Sequence, residues 1–508
     1  MSQWDTIVVG AGTAGCVLAS RLSEQPSQRT LLLEAGPDFG AVADGHWPQA
    51  LRAAMYAGRG GDYDWGFQAR VADGQLPYLQ GRVIGGSSTI NATGINWGLP
   101  CDYDHWAELG NTGWDFDSLL PYFQRVERLR DDPDPQAHPL RGRDGMLAVA
   151  RVPAAAQGWQ QAVGAALEAA GVPAIDVSGP GAPVGYGHPT VNLREGRRVT
   201  AAEAYLDPAR ERANLSVEGG VTARRLRWRA GTVTGVEVVD GQGRQRVIEG
   251  ARVVLCAGAF GTPLLLQRSG IGPGAALRPI LGEAAAVHDL PGVGQNLRDH
   301  YGTRLHHAGG PLTAAMAPAF QALSLRLPSR PALSAYDLNL FLLLSWQDGQ
   351  PAIRSSLFNI QPESSGRVLI GGPDPEAAPV IDTDFGRDAD LEALANGVQW
   401  LRGLVADASL AEWFGQESAP GAALQGDALR QWIRGNLCLF HHAVGTCRMG
   451  PAGDPMAVTD GAGRVTGFEN LVVADASIMP TIPRGMINLT VYAVAEKIAS
   501  VLSSPAAR

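Results

Sequence analysis

Three glycines near the start of the chain, Gly10, Gly12 and Gly15, have the G-x-G-x-x-G spacing. They follow an apolar run, Trp4 to Val9, and open a stretch, Cys16 to Leu22, that reads as an amphipathic helix. Residues without side chains allow a tight turn, close approach of a pyrophosphate, and close packing of helix on strand. The N–H groups at the helix start then face the phosphates. Thr30-Leu-Leu-Leu-Glu34 reads as a second buried strand. Its terminal acid falls about twenty residues after the last glycine, where a ribose hydroxyl needs an acceptor. The pattern predicts a dinucleotide site. Glu34 disfavours a 2′-phosphate, and so NADP, but leaves NAD and FAD both open. A second glycine pair, Gly85 and Gly86, precedes Ser87 and Ser88 at an apolar helix start. Such a turn forms another nest of N–H donors, and a cofactor contact is expected there.

The elements that would carry these groups are not contiguous. A chain of 508 residues calls for two or more domains. A nicotinamide dehydrogenase would continue past Gly36 with further strand–helix units. Instead, residues 37–79 read as irregular and rich in Gly, Asp and aromatics (Trp47, Tyr56, Tyr63, Trp65, Phe67). Such a stretch needs a large cofactor or a neighbouring domain to lie against. Asp115 or Asp117 can cap a helix beginning near Leu119, and Trp159 to Ala170 reads as amphipathic. The polar residues 130–145 read as a loop or domain crossing. Val233 to Val239 and Gln245 to Ile248 flank Asp240-Gly-Gln-Gly as a hairpin. Arg252 to Gly261 is a buried strand running into a glycine turn and a helix, a late return to the nucleotide-binding sheet. Asn470 to Asp475 returns again, and Thr490 to Leu502 is a terminal helix. Between them, Tyr336 to Trp346 and Leu357 to Gln361 suggest strands of a second sheet. Asp388 to Val405 is a helix with an acidic first turn, which the helix dipole favours.

Composition narrows the function. A net charge of -9 gives no basic footprint, so nucleic acid is excluded as a partner. Lys497 is the only lysine. Cys16, Cys101, Cys256, Cys438 and Cys447 include no C-x-x-C pair, and the reading is free thiols in a reducing compartment, with no metal. The apolar run Leu338 to Ser345 is too short to span a bilayer. A soluble cytoplasmic protein is expected.

Several further blocks, in order, make the chain resemble the glucose–methanol–choline (GMC) oxidoreductases, FAD-dependent alcohol oxidases and dehydrogenases. They are Gly10-Ala-Gly-Thr-Ala-Gly15 with Leu33-Glu-Ala-Gly36, Gly81-Arg-Val-Ile-Gly-Gly-Ser-Ser-Thr-Ile-Asn91, and Asp102-Tyr-Asp-His-Trp106. They continue with Gly258-Ala-Phe-Gly-Thr-Pro263, Leu290-Pro-Gly-Val-Gly-Gln-Asn-Leu297 with Asp299-His300, His442-Ala-Val-Gly-Thr-Cys-Arg-Met-Gly450 and Val473-Ala-Asp-Ala-Ser-Ile-Met-Pro480. The resemblance implies an α/β fold (α+β overall). A discontinuous Rossmann-like FAD domain (1–143, 196–300, 446–508) would join a substrate domain (144–195, 301–445) with a large antiparallel sheet flanked by helices.

The resemblance also assigns roles. His442 stands at the family's catalytic histidine, and Asn488 at its asparagine or second histidine. A neutral imidazole can take the hydroxyl proton while hydride leaves the carbinol carbon for flavin N5, and a neighbouring amide can hold the developing alkoxide. Flavin contacts are implied at Gly10, Gly12, Thr13, Ala14 and Gly15, at Glu34 and Ala35, and at Arg82, Gly85, Gly86, Ser87, Asn91 and Gly94. Val221, Ala257, Gly258, Asp475, Ala476, Asn488 and Thr490 complete the set.

Departures from the family pattern matter too. His441 replaces a common aromatic residue; it either lines the pocket and binds a polar substrate or points away as a spacer. Ile90 stands where relatives with covalent flavin carry histidine, so non-covalent FAD is expected. Met486 replaces the first asparagine of a common N-x-N-x-P motif, and Trp97 stands near a frequent arginine. Blocks such as Gly98-Leu-Pro-Cys-Asp-Tyr-Asp104 look closest to bacterial oxidases of hydroxymethyl aromatics, of the hydroxymethylfurfural or pyridoxine 4-oxidase type. The expected substrate is a small primary alcohol, with oxygen or another electron acceptor. The alternatives are a choline-type or other aliphatic alcohol dehydrogenase, an FAD-containing hydroxynitrile lyase, and a flavin-bound protein without catalysis.

Overall fold

The computed structural model describes residues 4–54, 61–129, 131–132, 136, 138–152, 158–283, 285–316 and 321–504. Tyr56, several residues of the 130–145 loop and the tail from 505 lie outside them.

The architecture is mixed α/β, around two seven-stranded sheets. The first begins with β1 (Trp4–Val9), α1 (Thr13–Leu22) and β2 (Thr30–Leu33). It resumes with β3 (Leu215–Glu218), β4 (Val221–Arg229), β5 (Thr232–Asp240) and β6 (Gln245–Leu255). The order is β3-β2-β1-β6-β5-β4, and a late strand, Leu471–Val473, pairs with β6. β1 pairs in parallel with both β2 and β6. Strands covered on both faces carry continuous apolar runs, and Ile7, Val8, Leu31, Leu32, Val253 and Val254 are all fully buried. The expected hairpin is present as β5 and β6, with β4 added as a third antiparallel strand. After β6 the chain enters α2 (Gly258–Arg268).

The second sheet is antiparallel at its centre. Its main strands are β7 (Tyr301–Gly309), β8 (Gln321–Leu327), β9 (Leu338–Gln347) and β10 (Gln350–Asn359). Gly185–Gly187, Phe414–Ala419 and Cys438–Leu439 complete it. In β9, Leu338, Leu340, Leu342 and Leu344 are buried at 0–1 % exposure, and the period of two sorts them onto one face. Helix α3 (Asp388–Val405) covers that face. A Cβ on Gly397 would lie within 2.8 Å of Leu338 and Leu357 side chains, so glycine lets the helix sit down on the sheet. The opposite face, with Phe341 and Leu343, borders a cavity.

Two expectations need adjustment. β10 starts at Gln350, ahead of the expected Leu357, because pairing along β9 carries the polar residues Arg354, Ser355 and Ser356 into the sheet. Residues 37–79 are not wholly irregular: Phe67–Val71 and Gly74–Tyr78 form a hairpin that joins Arg367–Leu369 and Val380–Asp382. That pairing partner lies some three hundred residues away, which local pattern cannot signal.

The terminal helix α4 (Ile487–Ser503) packs on α1. Thr13 bonds Asn488 and Arg21 bonds Glu496, both pairs 475 residues apart in sequence. A constant offset means the two helices run side by side in the same direction. Glu496 is buried, pairs with Arg21 at 2.7 Å and accepts from Tyr205 at 2.9 Å. This ion pair fixes the register that brings Asn488 to Thr13. Among the described residues, no helix is long and apolar enough to cross a membrane.

Candidate active site

A cavity of about 1010 Å³ runs between the two sheets, at the upper end of ordinary ligand pockets, which span ~300–1,000 Å³. One end is built largely from backbone. Gly10, Gly12, Thr13 and Ala14, at the β1–α1 turn, line it. A Cβ on Gly12 would meet nothing closer than 3.9 Å and would project into the cavity. Gly86, at φ +55, lies so close that its own Cβ would come within 2.6 Å of the Gly12 Cα. The two glycine turns therefore pack against each other and border one space, with the N–H groups of Gly10 and Gly86 spent on the carbonyls of Leu33 and Val83. Ser87, Asn91 and Gly94 continue the wall.

Glu34 and Ala35 border the same end, with Val221 beside them. The Glu34 carboxylate accepts from Ala11 N and Gly36 N, each at 2.9 Å. Burial pushes its carboxyl up to about 7, against the pull of these N–H bonds. Glu34 thus ties the first glycine turn to the strand end as well as facing the cavity. Ala257, Gly258, Asp475 and Ala476 also line it. Asp475 is saturated by protein donors: Gly258 N at 2.8 Å, Thr262 Oγ1 at 2.6 Å, Ser477 N at 2.9 Å and Ser477 Oγ at 2.6 Å. It anchors α2 to the late strand.

Four expected contacts sit behind the wall. A Cβ on Gly15 would overlap the Gly10 carbonyl at 1.8 Å, so Gly15 serves helix packing. Gly85 donates its N–H to Ala11 O at 2.7 Å. The Arg82 guanidinium lies over the Trp65 ring at 4.9 Å. Thr490 pairs with the Tyr103 hydroxyl at 2.9 Å and is buried.

The other end is built from side chains. His441, His442 and Asn488 all line the cavity. Thr13 Oγ1 donates to Asn488 Oδ1 at 2.9 Å, while Asn488 Nδ2 is buried with no partner among the described residues. A buried amide donor left open toward a cavity marks a place for a ligand acceptor. His442 N donates to Asp299 Oδ1 at 2.7 Å, and Tyr78 Oη donates to Asp299 Oδ2 at 2.5 Å. Burial pushes the Asp299 carboxyl up to about 7, against the Tyr78 and backbone bonds. His442 Nδ1 lies 2.9 Å from His300 Nδ1. Burial drives His300 down to about 3, and burial followed by the neighbouring His300 and His441 holds His442 well below an ordinary imidazole. Both rings are neutral at neutral pH.

His441 turns through a left-handed φ of +63, unusual for a residue with a side chain. Its Nδ1 accepts from Leu79 N at 3.3 Å, and its ring meets Tyr78 edge-on at 5.2 Å. Phe440 stacks on Phe358 at 4.0 Å and lies 4.2 Å from the His442 ring. Ile90 and Met486 also border the cavity, whereas Trp97 is buried and stacked on Phe123 at 4.6 Å.

Sequence reasoning gave no role to His300, Asp299 or Tyr78. The signal available was an acid and a histidine side by side, immediately before the buried strand β7. What they touch was not readable: Tyr78 lies 221 residues from Asp299, and His300 lies 142 residues from His442.

The residues fit a bound FAD on two counts. The glycine turns leave a backbone cradle open to the cavity, and Asn488 offers an unpaired donor at the far end. Residues 4–302 match the N-terminal family model described as GMC oxidoreductase, and residues 362–495 match the C-terminal one. The chain is 35% identical to 5-(hydroxymethyl)furfural oxidase of a Methylovorus species, over 99% of each chain. It is 33% identical to the oxygen-dependent choline dehydrogenase of Photobacterium profundum, over 99% of this chain and 93% of that relative. The solved structure of pyridoxine 4-oxidase from Mesorbium loti superposes with a TM-score of 0.87 at 30% identity, covering 98% of this chain and 99% of that one. The chain therefore belongs to the GMC oxidoreductase family and is an FAD-binding oxidoreductase.

Proposed function

We propose that this enzyme oxidises a small primary alcohol, of the aromatic or hydroxymethyl kind, to the aldehyde, with His442 as general base. The observation that carries the reading is a neutral His442 whose Nδ1 is engaged by His300, beside the open amide donor of Asn488. Two facing Nδ1 atoms need one N–H and one lone pair. We assign the N–H of this pair to His442; the carbonyls of Pro483 and Ile360 act on the His300 ring, whose buried Nε2 makes no hydrogen bond among the described residues. His300 Nδ1 is then the acceptor, His442 Nδ1 carries hydrogen, and His442 Nε2 keeps the lone pair that takes the hydroxyl proton. His300 acts as a positioning residue that selects this tautomer. Asn488 donates to the alkoxide oxygen as charge develops, and Thr13 holds its amide in that orientation. FAD, when bound, accepts the hydride that leaves the carbinol carbon.

The cofactor is held by Gly10, Gly12, Thr13, Ala14, Gly86, Ser87 and Ala476, with Glu34 toward the ribose. Ile90 offers no nucleophile, so we take the FAD as non-covalent. Segments 1–143, 196–300 and 446–508 form the cofactor unit, and 144–195 with 301–445 the substrate unit. Five free cysteines fit a reducing compartment, the bacterial cytoplasm. Either oxygen or another acceptor completes turnover.

Anaerobic mixing of the yellow protein with a panel of alcohols tests the reading. Bleaching near ~450 nm with benzylic or furanic alcohols is expected. Cyanide release from mandelonitrile without bleaching would instead identify a lyase, and bleaching by choline alone a choline-type enzyme.

A further inference from the structure

The cavity face of the second sheet carries charge for which oxidation of a neutral alcohol has no use. Arg304 on β7 lies opposite Ser356 on β10, which lies opposite Phe341 on β9. In the next row Arg354 on β10 lies between His306 and Leu343. The period of two puts both arginines on the face away from α3, and both line the cavity. Arg304 is partly buried and makes no hydrogen bond or ion pair among the described residues. A guanidinium withdrawn from water is stabilised by an opposite charge. Of the acids elsewhere on the wall, Glu34 and Asp475 are engaged as described, Asp64 accepts from Gln80 N at 2.8 Å, and Glu195 is exposed to solvent.

The distance from the reactive end is short. Gly302 on β7 pairs with Phe358, the ring stacked on Phe440 beside His442. Arg304 is two residues further along, a strand advance of ~7 Å, about the span between opposite substituents of a small aromatic ring. The rings of Phe440, Phe358 and Phe341 form one cluster on this wall, running from Phe440 beside His442 to Phe341 in the row of Arg304.

We propose that Arg304, with Arg354 beside it, forms an anion subsite, and that the substrate is a hydroxymethyl-aryl carboxylate. Its ring lies along the phenylalanines, its CH2OH meets His442, and its carboxylate meets the planar guanidinium fork of Arg304. The chemistry is unchanged: the O–H proton goes to His442, and the C–H hydrogen leaves with its bonding electrons as a hydride that bound FAD would accept. A quaternary ammonium substrate would meet like charge at this wall. The inference rests on the alcohol-oxidation reading and adds its substrate class.

The test compares holoenzyme turnover of 4-(hydroxymethyl)benzoate with that of its uncharged carboxamide and of benzyl alcohol. The acid is expected to have a kcat/KM about tenfold or more above the amide, and Arg304→Gln to remove that preference while Arg304→Lys keeps part of it. An arm with 4-(hydroxymethyl)phenyl phosphate separates the two anions; preference for the phosphate overturns the carboxylate assignment. Equal turnover of acid and amide overturns the subsite while leaving alcohol oxidation standing. If no alcohol reacts, the parent reading fails. The subsite is then judged by titrating holoenzyme with benzoate and following the flavin spectrum. Saturable perturbation weakened about tenfold in Arg304→Gln supports it, and no perturbation, or one unaffected by the substitution, overturns it.

Discussion

The two ends of the cavity are built on opposite principles. At the glycine end, the wall is built largely from backbone held by short local turns, and Gly10, Gly12 and Gly86 work by what they lack. At the reactive end the contacts are side chains, and none is local. His442 is tied to His300 and, through its backbone, to Asp299, which holds Tyr78; Asn488 is tied to Thr13. A cradle made of backbone tolerates any neighbouring side chain that leaves its turn intact. A reactive centre made of side chains depends on the register of every element that brings them together. Holding the cofactor and doing the chemistry should therefore be separable by mutation.

The sharpest break between the ends is His442→Ala. Flavin reduction by the best alcohol is expected to fall about 10²- to 10⁴-fold, with the FAD content and visible spectrum retained. Loss of FAD from this variant would show that the ends are not separable. The converse is Gly86→Ala. Its left-handed φ and the 2.6 Å approach to Gly12 leave no room for a methyl group. FAD affinity should weaken about 10- to 100-fold, read as flavin released on gel filtration and recovered by added FAD. A smaller effect is expected where the ends touch. Thr13→Val keeps the backbone that borders the cofactor space but removes the hydroxyl bond that orients Asn488, so kcat/KM should fall about tenfold and by more than the affinity for FAD.

The last two predictions concern protons. His442, the proposed base, is held well below an ordinary imidazole and is already neutral at pH 7, so kcat/KM should stay level on both sides of neutrality and fall only in acid. His300 gives a stability counterpart. It titrates at about 3 when folded against 6.5 in the open chain, so the unfolded chain binds the extra proton between these values. Its contribution is complete above pH 6.5 and is lost as pH falls toward 3. His300→Gln lacks that loss, and the stability gap between the two proteins should narrow by about 2 kcal/mol on going from pH 7 to pH 5. Melting temperatures of both at each pH would measure it.

The contrast also explains what could be read from residues alone. The β1–α1 turn, the acid at the end of β2, the second glycine nest and the return of the chain at Ala257 and Asp475 are each encoded within about a dozen residues, so spacing reveals them. Helix α3 and the β5–β6 hairpin were legible for the same reason. The hairpin within 37–79, the start of β10 and the placing of Arg304 opposite Ser356 were not, because pairing with distant strands decided them. His442 and Asn488 stood out only through the likeness of whole blocks to a family; nothing in their own neighbourhoods distinguished them from a core histidine and a helix-start asparagine.

The sequence by itself determined the two glycine turns and the strands that return to the first sheet, since glycine spacing and strand hydrophobicity act over one or two turns of chain, while the choice of FAD over NAD rested on the likeness of whole blocks to the family. Only the tertiary structure decided how the reactive groups meet. The register of α4 on α1, fixed by Arg21 and Glu496, sets Asn488 against Thr13. The loop before β7 brings Asp299 and His300 under His442. The alternation of β7 and β10 turns two arginines toward the same cavity. A side chain's partner, burial and charge state are properties of what lies across from it, and that is settled by packing between segments hundreds of residues apart.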